Sequence, residues 1–292
     1  MNRVVITGWG CVSPLGLDAE STWAAVCTGK SGIGRIQLFD PSPIASQIAG
    51  EVPGFDPNEY MSRKEARHMD RFAQFAVAAS REAVAHAGLN LETLDRERVG
   101  VLIGSGIGGI ETLQAQMTLA IQRGPDRISP FFIPMMISNM GAGQVAIILG
   151  LGGPNLSIAT ACDTGTHAIG EAAKMLRRGK ADVMLAGGAE AAVTWMSVGG
   201  FSSLRALSCR NDEPERASRP FDRDRDGFVI AEGGATLILE TLDFARARRP
   251  DLCRGARLWS ERRWLPHYQA GAGRPRRPAR YEPRRRRRRH RP

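Results

Sequence analysis

A cysteine that opens a helix-forming run, Cys162 to Gly170, is the feature of this sequence best suited to chemistry. Leu156 to Thr160 reads as a short buried strand after a Gly-Pro turn. From Asp163 the apolar period changes: Ile169, Ala172, Ala173 and Leu176 form the stripe of a helix. Cys162 falls on the joint between the two. The first turn of a helix carries unpaired N–H groups and the positive end of the macrodipole, and both stabilise a thiolate. Small neighbours, Ala161 and Gly165, leave room for a substrate carbonyl, and backbone N–H groups at the turn can hold an oxyanion. Serine hydrolases built on a strand–elbow–helix use the same logic with oxygen. Position alone is equally compatible with a buried structural cysteine.

Other residues compete. Gly104, Gly106 and Gly109 satisfy a dinucleotide fingerprint formally, but the region where its acidic partner belongs reads Arg123-Gly-Pro-Asp126. These glycines are better read as letting backbone approach a catalytic centre. Asp222, Asp224 and Asp226 before Gly227 imitate the start of a calcium loop, yet the twelfth position is Gly233. A charged turn that pins the strand at 236–240 is the better reading. His167 lies five residues beyond Cys162, a rotation of about 140° on a helix, and so points away from the thiol. His68 and His86 have no sequence-level link to it. Arg63, Arg67 and Arg71 are spaced four apart with Lys64 beside them, a basic stripe that is either a solvated face or a dock for an acidic partner.

The elements that must position these residues alternate. Strands are expected at 3–8, 99–103, 183–186 and 236–240, and helices at Asp18–Lys30, Ser62–Ala87, Glu111–Arg123 and about 135–149. Ser62 with Glu65 predicts a capping box, and Phe72, Phe75, Ala76, Ala79, Ala83 and Ala87 the buried face of that long helix. Strands alternating with helices argue for an α/β layer with a parallel sheet. The apolar stretch Phe131–Leu151 is broken by Pro134, Ser138, Asn139 and Gln144, and reads as a buried helix rather than a membrane span. No signal peptide is visible, and five cysteines without a CxxC pair indicate a reducing compartment with no metal or disulfide framework.

The run Ser157–Gly170 resembles the active-site segment of the β-ketoacyl-ACP synthases, in particular the type II elongating enzymes. Collinear matches follow at Thr7–Gly16, Gly104–Gly109, Ile128–Pro134, Gly187–Glu190, Gly200–Ser208 and Arg219–Val229. The resemblance covers residues 1–247 and implies a thiolase-like, layered α/β fold with a mostly parallel five-stranded sheet. Only the first of the fold's two halves is recognisable, so a half-fold would expose the apolar face meant for its mate. It implies acyl transfer to Cys162, then decarboxylative Claisen condensation with malonyl-ACP in fatty acid elongation. By resemblance, Ile107 and Phe132 line the acyl pocket beside Gly106, and Phe201 stands near the extender-unit pocket. Lys64 and Arg67 match positions that contact acyl carrier protein, and Arg205 adds to the patch. No cofactor or metal is implied, the family is homodimeric and cytoplasmic, and neither nucleic acid nor membrane is a partner. One departure is Asp163, where the family has a small or neutral residue. Its carboxylate opposes a neighbouring thiolate while capping the helix. Ordinary core packing accounts equally well for Ile107, Phe132 or Phe201 taken singly.

The net charge of +10 is unevenly spread. From Arg246 onward there are 18 Arg, no Lys and 3 acidic residues, a net of +15 that leaves −5 for the rest. Residues 248–292 have no hydrophobic period and contain the run Arg284–Arg289. Arg, Pro, Gly and Ala without Lys are what a GC-rich gene yields out of frame. Codons can be chosen for Arg257–Tyr268 that, read one base later, encode a segment resembling the family's continuation. The expectation is a disordered, frameshifted tail and a chain without the family's two His and Lys of the second half; His267 and His290 have the wrong context. The competing expectation is a non-catalytic synthase fragment, a polyketide-type relative, or an Arg-tail binder of nucleic acid with salt-dependent affinity.

Overall fold

The computed structural model describes residues 2–249. In chain order the elements are β1 (Val4–Val12), α1 (Ala19–Cys27), β2 (Gly34–Arg35), β3 (Ile48–Ala49), α2 (Arg63–Ala66), α3 (Arg71–Ala87), β4 (Val99–Gly104), α4 (Ile110–Arg123), α5 (Phe132–Met136), α6 (Met140–Leu149), β5 (Asn155–Leu156), α7 (Thr164–Arg177), β6 (Val183–Glu190), α8 (Trp195–Ser203), β7 (Gly233–Thr241) and α9 (Leu242–Arg248).

Five strands make one sheet in the order β1-β7-β6-β4-β5. β4 pairs in parallel with β5 and β6, while β7 runs antiparallel to both β1 and β6, so four of the five strands point the same way. The sheet is mixed: two of its four pairings are parallel and two, the longer ones made by β7, antiparallel, which is less parallel than the resemblance implied. β4 is buried along its whole length, as expected of a parallel strand covered on both faces. One face is covered by α3 and α6. Phe72, Phe75, Ala76, Ala79, Ala83 and Ala87 of α3 are all buried there, the face their spacing predicts. The other face is covered by α7 through Ala168, Ala172 and Leu176, packed on Leu102, Met184 and Leu239. Ile169 and Ala173 only flank that contact, so the buried stripe is turned slightly from the one read in the sequence.

Three predicted elements are corrected. The single helix over Ser62–Ala87 is two. Ser62 and Glu65 form the expected capping box on α2, but Asp70 then takes extended backbone and caps α3 through Phe72 N–H. Asp70 is buried, and Thr112 donates to its Oδ2 from both N–H (2.8 Å) and Oγ1 (2.6 Å), which holds the break in place. The helix expected around 135–149 is likewise divided, because Ile137 is extended and Met136 C=O accepts from Gly109 N–H at 2.9 Å. The strand expected at Leu156–Thr160 shrinks to Asn155–Leu156, an exposed edge. β4 continues to Gly104, but beyond Leu156 the chain leaves its edge: Ile158 O lies 2.5 Å from where a Cβ on Gly104 would stand, over the face of the sheet.

Asp222, Asp224 and Asp226 form a charged turn. Arg219 pairs with Asp222 at 3.0 Å, and Asp226 Oδ2 accepts from Cys209 N–H at 2.9 Å. The Leu207–Phe228 bridge then leads the chain towards β7. Arg248, placed with the tail by sequence, closes α9 and pairs with the fully buried Glu240 at 2.6 Å. The rest of the Arg-rich segment, from Pro250, with His267 and His290, lies outside the described residues. Among the described residues no helix is long and apolar enough to cross a membrane.

Candidate active site

Cys162 sits in a single 3₁₀ turn, Ala161–Asp163, that runs directly into α7. Its side chain faces solvent, which excludes the buried structural cysteine. Ala161 just before it has φ +52°, an uncommon conformation for a residue with a Cβ and a mark of a strained elbow. The sheet brings the elbow to the carboxyl ends of β4 and β6. A Cβ on Gly104 would lie 2.3 Å from Thr164 Cγ2 and 2.5 Å from Ile158 O, so only glycine lets the helix start that close to β4.

Two hydrogen bonds brace the elbow. Thr160 N–H donates to Thr164 Oγ1 at 2.8 Å, and Thr160 Oγ1 meets His167 Nδ1 at 2.7 Å. His167 therefore spans the turn and makes no hydrogen bond to the thiol. Asp163 makes no capping bond from its side chain, so the expected cap is absent; Thr164 ties the turn instead. Gly165 faces Gly188 of β6, where a Cβ added to it would stand at an ordinary contact distance of 3.8 Å. His68 stacks on Phe131 at 3.8 Å between ring centroids, and His86 lies tilted against Trp9 at 4.0 Å.

Beside the elbow, the loop after β4 opens a cleft of about 260 Å³ lined by Gly106, Ile107, Ile110, Leu113, Met136 and Ile137, among others. A Cβ on Gly106 would stand 3.7 Å from Ala161 O, so the cleft wall abuts the elbow. Phe132 opens α5, the helix that contributes Met136, and is half-buried. Phe201 lies elsewhere: it packs in a separate apolar cluster, edge-on to Phe228 at 5.4 Å.

Glu190 ends β6 and closes the Gly187–Glu190 motif. Its Oε1 accepts from Ser105 Oγ at 2.9 Å, and its Oε2 from the N–H groups of Gly106 (2.7 Å) and Ile107 (3.3 Å). Burial pushes its carboxyl up, against the pull of these bonds. A carboxylate closing an otherwise apolar strand was the signal available in the sequence. Of the basic stripe, Arg63, Lys64 and Arg67 are exposed, as is Arg205 at φ +57°. Arg71 is not on it, because the break before α3 turns it inward onto the buried Glu232 at 2.7 Å.

The model of the β-ketoacyl synthase N-terminal domain matches residues 1–245. This chain belongs to the β-ketoacyl synthase family. The 3-oxoacyl-[acyl-carrier-protein] synthase 2 of Vibrio cholerae serotype O1 is 48% identical over 259 residues, 89% of this chain and 61% of that protein. The protein of the same name from Synechocystis sp. is 49% identical over the same shares. The crystal structure of a β-ketoacyl synthase from Burkholderia phymatum superposes with a TM-score of 0.77 at 36% identity, covering 85% of this chain and 61% of that one. A type II polyketide-synthase acyl-carrier protein in complex with its ketosynthase gives 0.74 at 33% identity, over 85% and 60%. The chain thus spans about three-fifths of the length of these synthases, and its thiolase-like ketosynthase fold is that of the solved relatives.

Proposed function

We propose that this chain supplies the acyl-accepting part of a type II 3-oxoacyl-[acyl-carrier-protein] synthase serving fatty acid elongation. The observation that carries the reading is the placement of Cys162. It is open to solvent, behind a strained Ala161, at the leading end of α7 and next to the cleft walled by Gly106 and Ile107. The Cys162 thiolate adds to an acyl thioester carbonyl. The tetrahedral oxyanion takes a hydrogen bond from the turn's backbone N–H. Collapse expels the carrier's thiolate, which takes up a proton, and leaves the acyl group on Sγ. In the complete reaction a malonyl thioester loses CO₂, and the enolate carbon attacks that acyl group and releases Cys162.

An acidic carrier protein docks on the exposed Lys64 and Arg67, with Arg205 extending the patch. The solved ketosynthase in complex with its acyl-carrier protein supports this partner class. Phe132 and Phe201 belong to the acyl and extender-unit sides, and the working unit is a cytoplasmic homodimer without cofactor. The synthase domain includes Arg248, which pairs with Glu240, so the segment read as out of frame begins after it rather than at 248. The two His and the Lys that the resemblance assigns to decarboxylation have no counterpart in the 292 residues, so acylation of Cys162 is the step these residues supply.

Intact-mass analysis after incubation with an acyl-pantetheine thioester tests the reading. One acyl group per chain is expected, mapped to Cys162 and absent from Cys162→Ala. Labelling that survives the substitution removes the nucleophile assignment.

A further inference from the structure

Glu190 closes β6 as a half-buried carboxylate, and among the described residues no Arg, Lys or His forms an ion pair with it. A carboxylate withdrawn from water without a counter-cation is costly, and an apolar strand end would be cheaper. Its hydrogen-bond partners are the donors of one loop: Ser105 Oγ, Gly106 N–H and Ile107 N–H. Ser105 Oγ in turn accepts from Gly108 N–H at 2.7 Å. One carboxylate, directly and through one hydroxyl, thus fixes the backbone of Gly106, Ile107 and Gly108. That loop does two things at once. Ile107, 43% exposed, walls the cleft, and Gly106 lies against Ala161, one residue from the thiol.

We propose that Glu190 is a positioning residue for acyl-chain selection: it holds the Ser105–Gly108 loop so that Ile107 sets how far a chain attached to Cys162 can enter the cleft. This rests on reading Cys162 as the acyl acceptor. Glu190 touches neither the thiol nor the chain; it acts by where it places the loop. An amide can do the same work, because a glutamine keeps an acceptor oxygen for the two N–H groups, whereas alanine cannot.

The test uses the full chain as wild type, Glu190→Ala and Glu190→Gln. Cys162 is alkylated with iodoacetamide and with its N-butyl and N-dodecyl derivatives, and rates are read by mass. These probes need no acyl transfer. Glu190→Ala is expected to change the dodecyl-to-butyl rate ratio by about threefold or more. The rate with plain iodoacetamide stays at the wild-type level, and Glu190→Gln restores the wild-type ratio. Hydrogen exchange of a peptide containing Ser105–Gly108 should lose protection in Glu190→Ala alone. Should Glu190→Ala not fold, Ser105→Ala carries the comparison and shifts the ratio the same way. An unchanged ratio in Glu190→Ala, or in Ser105→Ala where that stands in for it, overturns the proposal, as does a Gln variant that behaves like Ala. Failure of wild-type Cys162 to take an acyl group from a thioester would sink the proposed function instead, and the alkyl-chain ratio would still decide the role of Glu190.

Discussion

Thr160 Oγ1 and His167 Nδ1 lie 2.7 Å apart and close a bridge over the turn that carries Cys162. The bridge joins the residue two before the thiol to the residue five after it. His167→Ala or Thr160→Val removes one exposed hydrogen bond, worth about 0.5 kcal/mol. The expected result is that loss in urea unfolding, together with slower acylation of Cys162. Unchanged stability and unchanged labelling in both variants would show that the bridge holds nothing.

Gly104→Ala should be more damaging than its size suggests. The new methyl would stand 2.3 Å from Thr164 Cγ2 and 2.5 Å from Ile158 O, one a side chain of α7 and the other backbone. Overpacking of this kind costs about 1–3 kcal/mol. Because both neighbours flank the elbow, reactivity of Cys162 towards iodoacetamide should change with stability.

Arg67 and Arg71 share a spacing in sequence but not a role. Arg67 is exposed, while Arg71 Nε and Nη2 both donate to Glu232. Lys64→Glu with Arg67→Glu should weaken binding of an acidic carrier protein by about tenfold, more at low salt, and leave the folding midpoint unchanged. Arg71→Met should do the reverse. It strands a buried carboxylate at about 3–5 kcal/mol, read by urea denaturation.

The pH dependence has a definite sign. Burial raises the carboxyls of Asp70, Glu111 and Glu190 above their ordinary values. A raised carboxyl keeps its proton in the folded chain after the unfolded chain has lost it. Stability from these groups is therefore greatest below the ordinary carboxylate range and falls as pH rises through the raised values. Asp70→Asn, which keeps an acceptor for Thr112, should flatten this fall. Urea midpoints measured from acid to neutral pH check it, and a steeper fall in the variant would reverse the assignment.

The sequence made the helix faces and the elbow legible because both rest on local pattern. The α3 stripe follows from residues three and four apart, and Cys162 from the change of period at Asp163. What escaped depends on contacts made across the fold. The break at Asp70 exists because Thr112, 42 residues away, binds its carboxylate. The shortness of β5 follows from the chain rising over Gly104 after Leu156, and the hydrogen bonds of Glu190 from a loop 84 residues earlier. None of these distances has a period to read. Placement of Phe201 beside Phe228 is of the same kind.

The sheet's connectivity bears on how the chain is made. Among the described strands β1 pairs only with β7, which is made some 220 residues after it and also pairs with β6. Until Gly233–Thr241 appears, Val4–Val12 has no partner and the growing polypeptide carries two unfinished margins. Closure of these five strands therefore waits until β7 has been made. A nascent chain stalled upstream of Gly233 should bind chaperones more than one stalled after Arg249.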